Sequence, residues 1–479
     1  MSTVIAAPPA SVVVVLFGAT GDLARRMVMP ALVELHERGL LPERWRLVGC
    51  ATDRWDDEAF RARLEDSLLR SEQGLSEDWT EVARRVRYAG GGFTEDDPGA
   101  LPEVLAWAHR ELSDEGGGEP LVVYFLAVPP AAYPAITRGL GRHGLTAGAR
   151  VVYEKPYGTS LADFEALDAL VKEVLTEEQV FRIDHFLGKQ AVQAIYALRF
   201  SNRLFGSQWD ARAVEQVQID VPEDLDVAQR AGFYDATGAA LDMLVTHLFH
   251  VASQVAMDPP GEHGRPRRDR RRAGCGHDGF PAAGPGDGRR AGAVRGIHRH
   301  RRRGGRLDAG HLRRRSAVDR HRPVARGAVR ATHRQAHGPQ GPAHHPGDAP
   351  ARGPLAEAVA EPNTVEIDFS GSGAVAVGVT VNTPGPAPVL TFAHTELDLA
   401  DVPGGEPISA YASLLHDVLT GDRSLFTTSH CLRASFTAFA PLQGPGRPAP
   451  LPYAPGSWGP GEAERFAAPH GWVLERRRR

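Results

Sequence analysis

Residues 12–23 read VVVVLFGATGDL, and this stretch decides the N-terminal fold. Its first half is a short apolar run rich in β-branched side chains, which is typical of a buried parallel strand. Gly18 and Gly21 follow where a helical pattern begins. Glycines let a ligand approach backbone N–H groups, and a helix N-terminus favours negative charge. The stretch predicts a strand–turn–helix unit that binds phosphate, although such a turn can equally be purely structural.

Strands and helices alternate outward from this unit, which predicts a parallel doubly wound sheet. Ligands of such sheets bind at the carboxyl ends of the strands. The pattern predicts strands at 45–51, 121–127 and 150–154 and helices at 57–70 and 101–112. Further along it predicts strands at 214–221, 365–369 and 374–381 and helices at 239–255 and 409–419.

The composition is that of a globular protein of two or three domains, with 479 residues of which 42% are hydrophobic. The N-terminal residues lack the basic start and long apolar run of a signal peptide. Its three cysteines, Cys50, Cys275 and Cys431, are too scattered for a disulfide framework or a thiolate metal site. These features predict a cytoplasmic protein without a membrane partner.

The net charge of −4 conceals a basic segment, residues 261–352, with 23 Arg, no Lys and 7 acidic residues. This segment therefore carries +16, and the rest of the chain carries −20. Gly, Pro, Arg and His dominate it, and Phe280 is its only Phe, Tyr or Trp. Such a composition cannot bury enough apolar area to order itself, so we expect it to supply no strands.

Several polar residues follow predicted strands and are candidates for chemistry. Asp53 and Arg54 follow the second strand, where an acid favours a free ribose 2′-hydroxyl and an arginine accommodates a 2′-phosphate, so the pair is ambiguous. Lys155 ends another strand, where it could bind a sugar oxygen or lie exposed before a turn. His247 lies in an apolar helix, where a histidine is more often a core residue unless an Asp makes it a general base.

The motifs GATGDLARR, EKPYG, RIDHFLGK and FYDATGAALDMLVTHL, in this order, resemble the glucose-6-phosphate dehydrogenase family. The resemblance covers about residues 12–260 and 353–475. It implies oxidation of D-glucose 6-phosphate to 6-phospho-D-glucono-1,5-lactone with NADP+ as the cofactor, the first step of the oxidative pentose phosphate pathway. It implies an α/β fold, with a Rossmann-like NADP-binding domain at 1–185 and a C-terminal α+β domain at 186–479 that carries a large antiparallel sheet. A homodimer or homotetramer is expected if that sheet is intact.

The same resemblance assigns roles to individual residues and implies no metal. His247 is the base that removes the C1 hydroxyl proton, and Asp184 is the carboxylate that orients it. The substrate-binding residues implied are Lys155, His185, Lys189, Glu223 and Asp242. The cofactor-binding residues implied are Gly18, Thr20, Gly21, Asp22, Leu23, Arg54 and Lys155.

The chain departs from the family pattern at several of these sites. Thr52 stands where an arginine often contacts the 2′-phosphate, although Arg54 could reach it instead. Phe186 replaces a tyrosine near the substrate phosphate, which removes a hydroxyl group. These changes put the coenzyme preference and the details of phosphate binding in question.

The family's Gly-Lys-Arg substrate motif is missing from its expected place, the basic segment. One permitted coding of His333–Gly338, read one base later, gives Thr-Gly-Lys-Arg-Met-Ala, and the same shift gives family-like strings from 280–286 and 307–314. We therefore hypothesise that residues from about 260 to about 352 are out-of-frame translation between two compensating indels. The printed chain would then be inactive or unstable.

Three alternatives remain open from the sequence. A sugar oxidoreductase of the inositol-dehydrogenase type shares the glycine turn and Glu-Lys-Pro but lacks RIDHFLGK. A degenerate homologue would bind NADP+ without turnover. The basic segment could instead bind a nucleic acid, but it has no lysine and no recognisable nucleic-acid motif, so we expect no nucleic-acid partner.

Overall fold

The structure is a computed structural model that forms two compact units, residues 1–188 with 408–440 and residues 189–407 with 441–479. Within its described part, no helix combines the length and apolarity needed to cross a membrane. The structure describes residues 9–71, 74–75, 78–116, 118–221, 238–258, 294–298, 328–333, 362–369, 373–386, 389–443, 449, 451–454, 457, 459–467 and 472.

The first unit is built on a six-stranded parallel sheet with the order β3-β2-β1-β4-β5-β6. β1 lies between β2 and β4, and all seven of its residues are buried, as expected of an apolar strand that is covered on both faces. This is the predicted Rossmann-like doubly wound sheet. Its strands are β1 (Ser11–Phe17), β2 (Arg44–Cys50), β3 (Val86–Ala89), β4 (Leu121–Leu126), β5 (Arg150–Tyr153) and β6 (Val180–Arg182).

Helices connect these strands, and two of them begin at a side-chain cap. Asp56 accepts a hydrogen bond from Ala59 N, and the Ser160 side chain accepts one from Asp163 N. The first helix starts with a π-helical turn, Ala24–Val28. The α-helices are α1 (Met29–Glu37), α2 (Asp57–Leu69), α3 (Trp79–Arg84), α4 (Leu101–Asp114), α5 (Tyr133–Arg142) and α6 (Leu161–Val174).

Residues 408–440 also belong to the first unit, far along the chain from its sheet. Apolar side chains of helix Ala410–Thr420 join the core formed by β1 and α1. The Glu34 carboxylate accepts a hydrogen bond from Ser409 N at 3.1 Å, and Ser429 donates to Asp168 at 2.5 Å. This late segment therefore completes the first unit.

The second unit contains a six-stranded sheet with the order β12-β11-β10-β9-β7-β8. All of its strand pairs are antiparallel except β7 with β8, which is parallel. This is the predicted antiparallel sheet. Its strands are β7 (Val214–Val221), β8 (Val294–His298), β9 (Ala328–His333), β10 (Thr364–Asp368), β11 (Ala374–Thr383) and β12 (Val389–Asp398).

Among the described residues of the second unit, the α-helices and the π-helix lie before and after β7. They are α7 (Gln190–Ser201), α8 (Arg203–Gly206), the π-helix Ala240–Leu248 and α9 (Phe249–Ala256). Later in the chain, α10 (Ala410–Thr420) and α11 (Ser429–Phe439) belong to the first unit.

The basic segment does supply strands, so the expectation that it supplies none was wrong. β8 and β9 both lie within it, and β9 pairs with β7 and β10. Strand pairing uses backbone N–H and C=O groups, which every residue except proline offers, so a poor composition does not forbid a short strand. The rest of the segment lies outside the described residues.

Candidate active site

The glycine turn lies at the carboxyl end of β1, as the sequence predicts. Gly18 N donates to Cys50 O at 2.8 Å, which joins the turn to the end of β2. Gly18 has φ +71°, and a Cβ there would lie 2.3 Å from Ala127 O. Glycine is therefore required at this position, because the backbone is both left-handed and closely approached. The turn thus lies where parallel doubly wound sheets bind a dinucleotide phosphate.

The other turn residues have different surroundings. Thr20 Oγ1 donates to Asp53 Oδ2 at 2.7 Å. Asp22 is exposed and forms an ion pair with Arg25 at 2.9 Å, while Leu23 packs against the core. Arg54, at the end of β2, is exposed. Five of the predicted coenzyme residues thus lie after β1 and Arg54 lies after β2, whereas Lys155 follows β5.

Substitution of Gly18 tests this turn. Gly18→Ala should lower the free energy of unfolding by about 2–4 kcal/mol. The substitution adds a Cβ to a residue in the left-handed conformation and brings that Cβ too close to Ala127 O. Gly39→Ala is the matched control, because Gly39 has φ +65° with no atom within 4 Å of its Cβ position. It should cost only about 1 kcal/mol. Denaturant unfolding measures both, and equal losses would contradict the close-contact argument.

A second group of polar residues lies at the carboxyl ends of β5 and β6. Lys155 follows β5 and is half-buried. Asp184 and His185 follow β6, and Asp184 is buried. Phe186 N donates to Asp184 Oδ1 at 3.0 Å, which fixes one carboxylate oxygen.

Two residues of this group were not predicted from the sequence. Glu154, just before Lys155, is buried, and its carboxylate is hydrogen-bonded to the Tyr411 side chain. The Tyr411 ring lies 6.3 Å from the His185 ring at 17°, so the two are stacked. Glu154 could have been noticed from its place beside Lys155, whereas Tyr411 comes from a distant helix and carries no local signal.

Burial raises the pKa of Glu154 from 4.5 to about 7. Its hydrogen bond with Tyr411 and the nearby Lys155 act in the opposite direction but are outweighed. Oε1 of Glu154 has no hydrogen-bond partner within the described chain. This buried carboxyl group of the first unit is therefore only partly ionised near neutral pH.

The raised pKa predicts a specific pH dependence of stability. Between pH 4.5 and about pH 7, Glu154 keeps its proton in the folded chain but has released it in the unfolded chain. Stability from this group is therefore full below pH 4.5 and is lost as pH rises through 7, by about 3 kcal/mol in total. Glu154→Gln should remove this fall, measured by urea unfolding at several pH values. Glu58→Gln, at an exposed position of α2, is the control and should keep it.

The remaining predicted residues belong to the second unit. Lys189 caps α7, and its Nζ donates to Phe369 O at 3.4 Å, just beyond β10. Asp242 and His247 are both buried in the π-helix Ala240–Leu248. Glu223 lies outside the described residues.

A helix was predicted at 239–255, and its first half differs from an ordinary α-helix. The helix is π-type, and the N–H of Phe249 bonds to Leu244 O five residues back. A wider turn places residues five apart more nearly above one another along the axis. π-Helical turns occur frequently at functional sites.

Two sequence models of known families match the chain. The glucose-6-phosphate dehydrogenase NAD binding domain matches residues 15–194. The C-terminal domain of the same family matches residues 196–268 and 350–475. The second match is interrupted between residues 268 and 350, which includes most of the basic segment.

Individual relatives agree with these matches. Glucose-6-phosphate 1-dehydrogenase 2 of Mycobacterium tuberculosis is 40% identical over 254 residues, 51% of this chain and 49% of that protein. Glucose-6-phosphate 1-dehydrogenase of Dickeya dadantii is 37% identical over 256 residues, 52% of this chain and 49% of that protein. The chain thus spans about half the length of the curated relatives that it matches.

Solved structures extend the likeness in fold to nearly the whole chain. A glucose-6-phosphate dehydrogenase in complex with its substrate glucose-6-phosphate has a TM-score of 0.78 at 24% identity, covering 99% of both chains. Glucose-6-phosphate 1-dehydrogenase from Mycobacterium avium has a TM-score of 0.71 at 25% identity, covering 98% of this chain and 99% of that chain. With both domain models matched in order, the chain belongs to the glucose-6-phosphate dehydrogenase family.

Proposed function

We propose that this chain is built to oxidise D-glucose 6-phosphate at C1 to 6-phospho-D-glucono-1,5-lactone with a nicotinamide dinucleotide. The observation that carries the proposal is the common edge of the first sheet. There the glycine turn after β1 lies on the same side as Lys155, after β5, and Asp184 and His185, after β6. This edge is where parallel sheets bind ligands.

The coenzyme would be held by the glycine turn and the groups at the end of β2. The glycine turn lies between β1 and the first helix, which is where a dinucleotide phosphate binds in folds of this kind. When bound, the coenzyme supplies a two-electron acceptor for the sugar carbon. The choice between NAD+ and the NADP+ expected from the resemblance depends on the groups that meet the adenosine ribose.

We assign the proton chemistry to His247. As a neutral imidazole it would accept the C1 hydroxyl proton, which leaves the sugar oxygen able to form a carbonyl. Asp184, whose carboxylate is fixed by Phe186 N, would orient His247 and stabilise the imidazolium that results.

Substrate recognition would use the remaining residues. His185 and Lys189 would hold the phosphate through charge-assisted hydrogen bonds. Lys155, Glu223 and Asp242 would bind sugar hydroxyls. The division into a coenzyme domain, 1–185, and a second domain, 186–479, remains part of this proposal, as do the predicted homodimer or homotetramer and the cytoplasmic location.

We also propose that the segment from about 260 to about 352 is translated out of frame. The interruption of the C-terminal family match supports this. Resequencing the gene tests the frame hypothesis directly, and an intact frame that encodes the printed residues would refute it. Tryptic peptides of the expressed protein would then separate a sequencing error from a mutation.

A coenzyme-reduction assay tests the proposed activity. The chain with its frame restored should reduce a nicotinamide coenzyme with glucose 6-phosphate and fail with glucose or inositol, which lack the phosphate. Equal rates with the unphosphorylated sugars would favour the inositol-dehydrogenase type. Coenzyme binding without any turnover would favour a degenerate homologue.

A further inference from the structure

The glycine turn and the end of β2 are joined by a hydrogen bond between side chains. Thr20 Oγ1 donates to Asp53 Oδ2 at 2.7 Å. The backbone joins the same two segments, because Gly18 N and Ala19 N both donate to Cys50 O, at 2.8 and 3.3 Å. A carboxylate is therefore fixed beside the glycine turn.

The backbone of Asp53 is fixed as well. The Tyr88 hydroxyl donates to Asp53 O at 3.0 Å, and Gly91 N donates to it at 3.2 Å. The side chain is exposed, and within the described part of the chain its second oxygen, Oδ1, has no hydrogen-bond partner. One carboxylate oxygen is thus used to hold the group in place, and the other remains able to accept a hydrogen bond.

The position after the second strand meets the adenosine ribose in folds of this kind. A carboxylate there accepts a hydrogen bond from a free 2′-hydroxyl, whereas a 2′-phosphate needs a positive charge. Two negative groups at such short range repel each other. The held carboxylate of Asp53 therefore suits a coenzyme without the 2′-phosphate.

The charges around Asp53 point the same way. The stretch 52–57 reads TDRWDD, with three carboxylates against the single guanidinium of Arg54. At the glycine turn, Arg25 and Arg26 both form ion pairs with Asp22, at 2.9 and 3.4 Å. These arginines are thus already partnered by a carboxylate.

We propose that Asp53 makes the chain select NAD+ over NADP+. This inference rests on the proposed function of a nicotinamide-dependent dehydrogenase, and it opposes the expectation of NADP+ that the family resemblance raised. Asp53 would accept the 2′-hydroxyl at Oδ1 while Thr20 holds Oδ2, and the same carboxylate would repel a 2′-phosphate.

Calorimetric titration of NAD+ and NADP+ without sugar tests the inference. It is run on the full printed chain and on the chain with its frame restored, with folding checked by circular dichroism. NAD+ should bind at least about tenfold more tightly than NADP+, as expected when one charge-assisted hydrogen bond is exchanged for a repulsion. Tighter binding of NADP+, or binding of neither coenzyme by a folded chain, would overturn the inference.

Two variants separate the carboxylate from general charge. Asp53→Asn keeps an acceptor for Thr20 but removes the charge, so it should reduce the preference for NAD+ severalfold by relieving the repulsion of NADP+. Asp66→Asn removes an exposed carboxylate that is paired with Arg70 on α2, and it should leave the preference unchanged. An unchanged preference in Asp53→Asn would refute the role of this residue.

The coenzyme preference and the proposed reaction can fail separately in these experiments. If glucose 6-phosphate reduces neither coenzyme, the proposed function fails even where NAD+ binds more tightly. If it reduces NADP+ and NADP+ binds more tightly, the proposed function stands and the selection by Asp53 fails.

Discussion

Restoring the reading frame across residues 260–352 should raise the rate of glucose 6-phosphate oxidation by about 100-fold or more over the printed chain. The printed segment has no lysine, so it cannot supply the substrate lysine that the family resemblance implies. A hydrogen bond to a charged group contributes about 1.5–3 kcal/mol. That corresponds to roughly 10–150-fold in rate, and the loss of well-packed sheet residues adds to it.

The assay for this prediction compares the two chains at equal concentration. The restored chain with its motif lysine replaced by alanine is the matched control, because it keeps the restored sheet and removes the lysine side chain. A printed chain that oxidises glucose 6-phosphate as fast as the restored chain would contradict the frame hypothesis and the expected inactivity together.

His247→Asn in the restored chain should lower kcat by about 10²–10⁴-fold, the usual contribution of a positioned general base. Asparagine fills a similar space but cannot accept the proton. Steady-state kinetics measures the loss, and coenzyme titration should show unchanged binding, because the coenzyme is assigned to the first unit.

His250→Asn is the control for burying an amide in the same stretch. His250 is buried in α9, directly after the π-helix that carries His247. The His250→Asn substitution should lower Tm more than it lowers kcat, since His250 has no assigned role in proton transfer. If both variants lose kcat equally, packing rather than proton transfer explains the effect of His247.

Much of the first unit could be predicted because its signals are local. A buried β-branched run followed by glycines predicts β1 and its turn, and periodic patterns predict α2 and α4. Two short strands, β3 (Val86–Ala89) and β6 (Val180–Arg182), were not predicted. β5 (Arg150–Tyr153), also four residues long, was predicted, so a pattern of this length identifies some strands and misses others.

Features that depend on tertiary contacts could not be predicted. Helix Ala410–Thr420 was predicted as a helix, but its packing with the first unit comes from apolar contacts with distant α1. The stacking of Tyr411 on His185 and the raised pKa of Glu154 are consequences of that packing and burial. The π-helical form of Ala240–Leu248 likewise carries no distinct sequence period.

The residues of the candidate site also differ in how well the sequence predicted them. Motif order located Lys155, Asp184, His185 and His247, because each lies in a recognisable string. The motif at the end of β2 left Asp53 and Arg54 ambiguous, and only the hydrogen bond from Thr20 shows which of the two is held beside the turn.

Oxidation at C1 is the central claim, and glucose 6-phosphate labelled with deuterium at C1 tests it most directly. After turnover by the restored chain, mass spectrometry of the reduced coenzyme should find the deuterium there, with the lactone carbon unlabelled. Deuterium that remains in the sugar while the coenzyme is reduced would contradict the account.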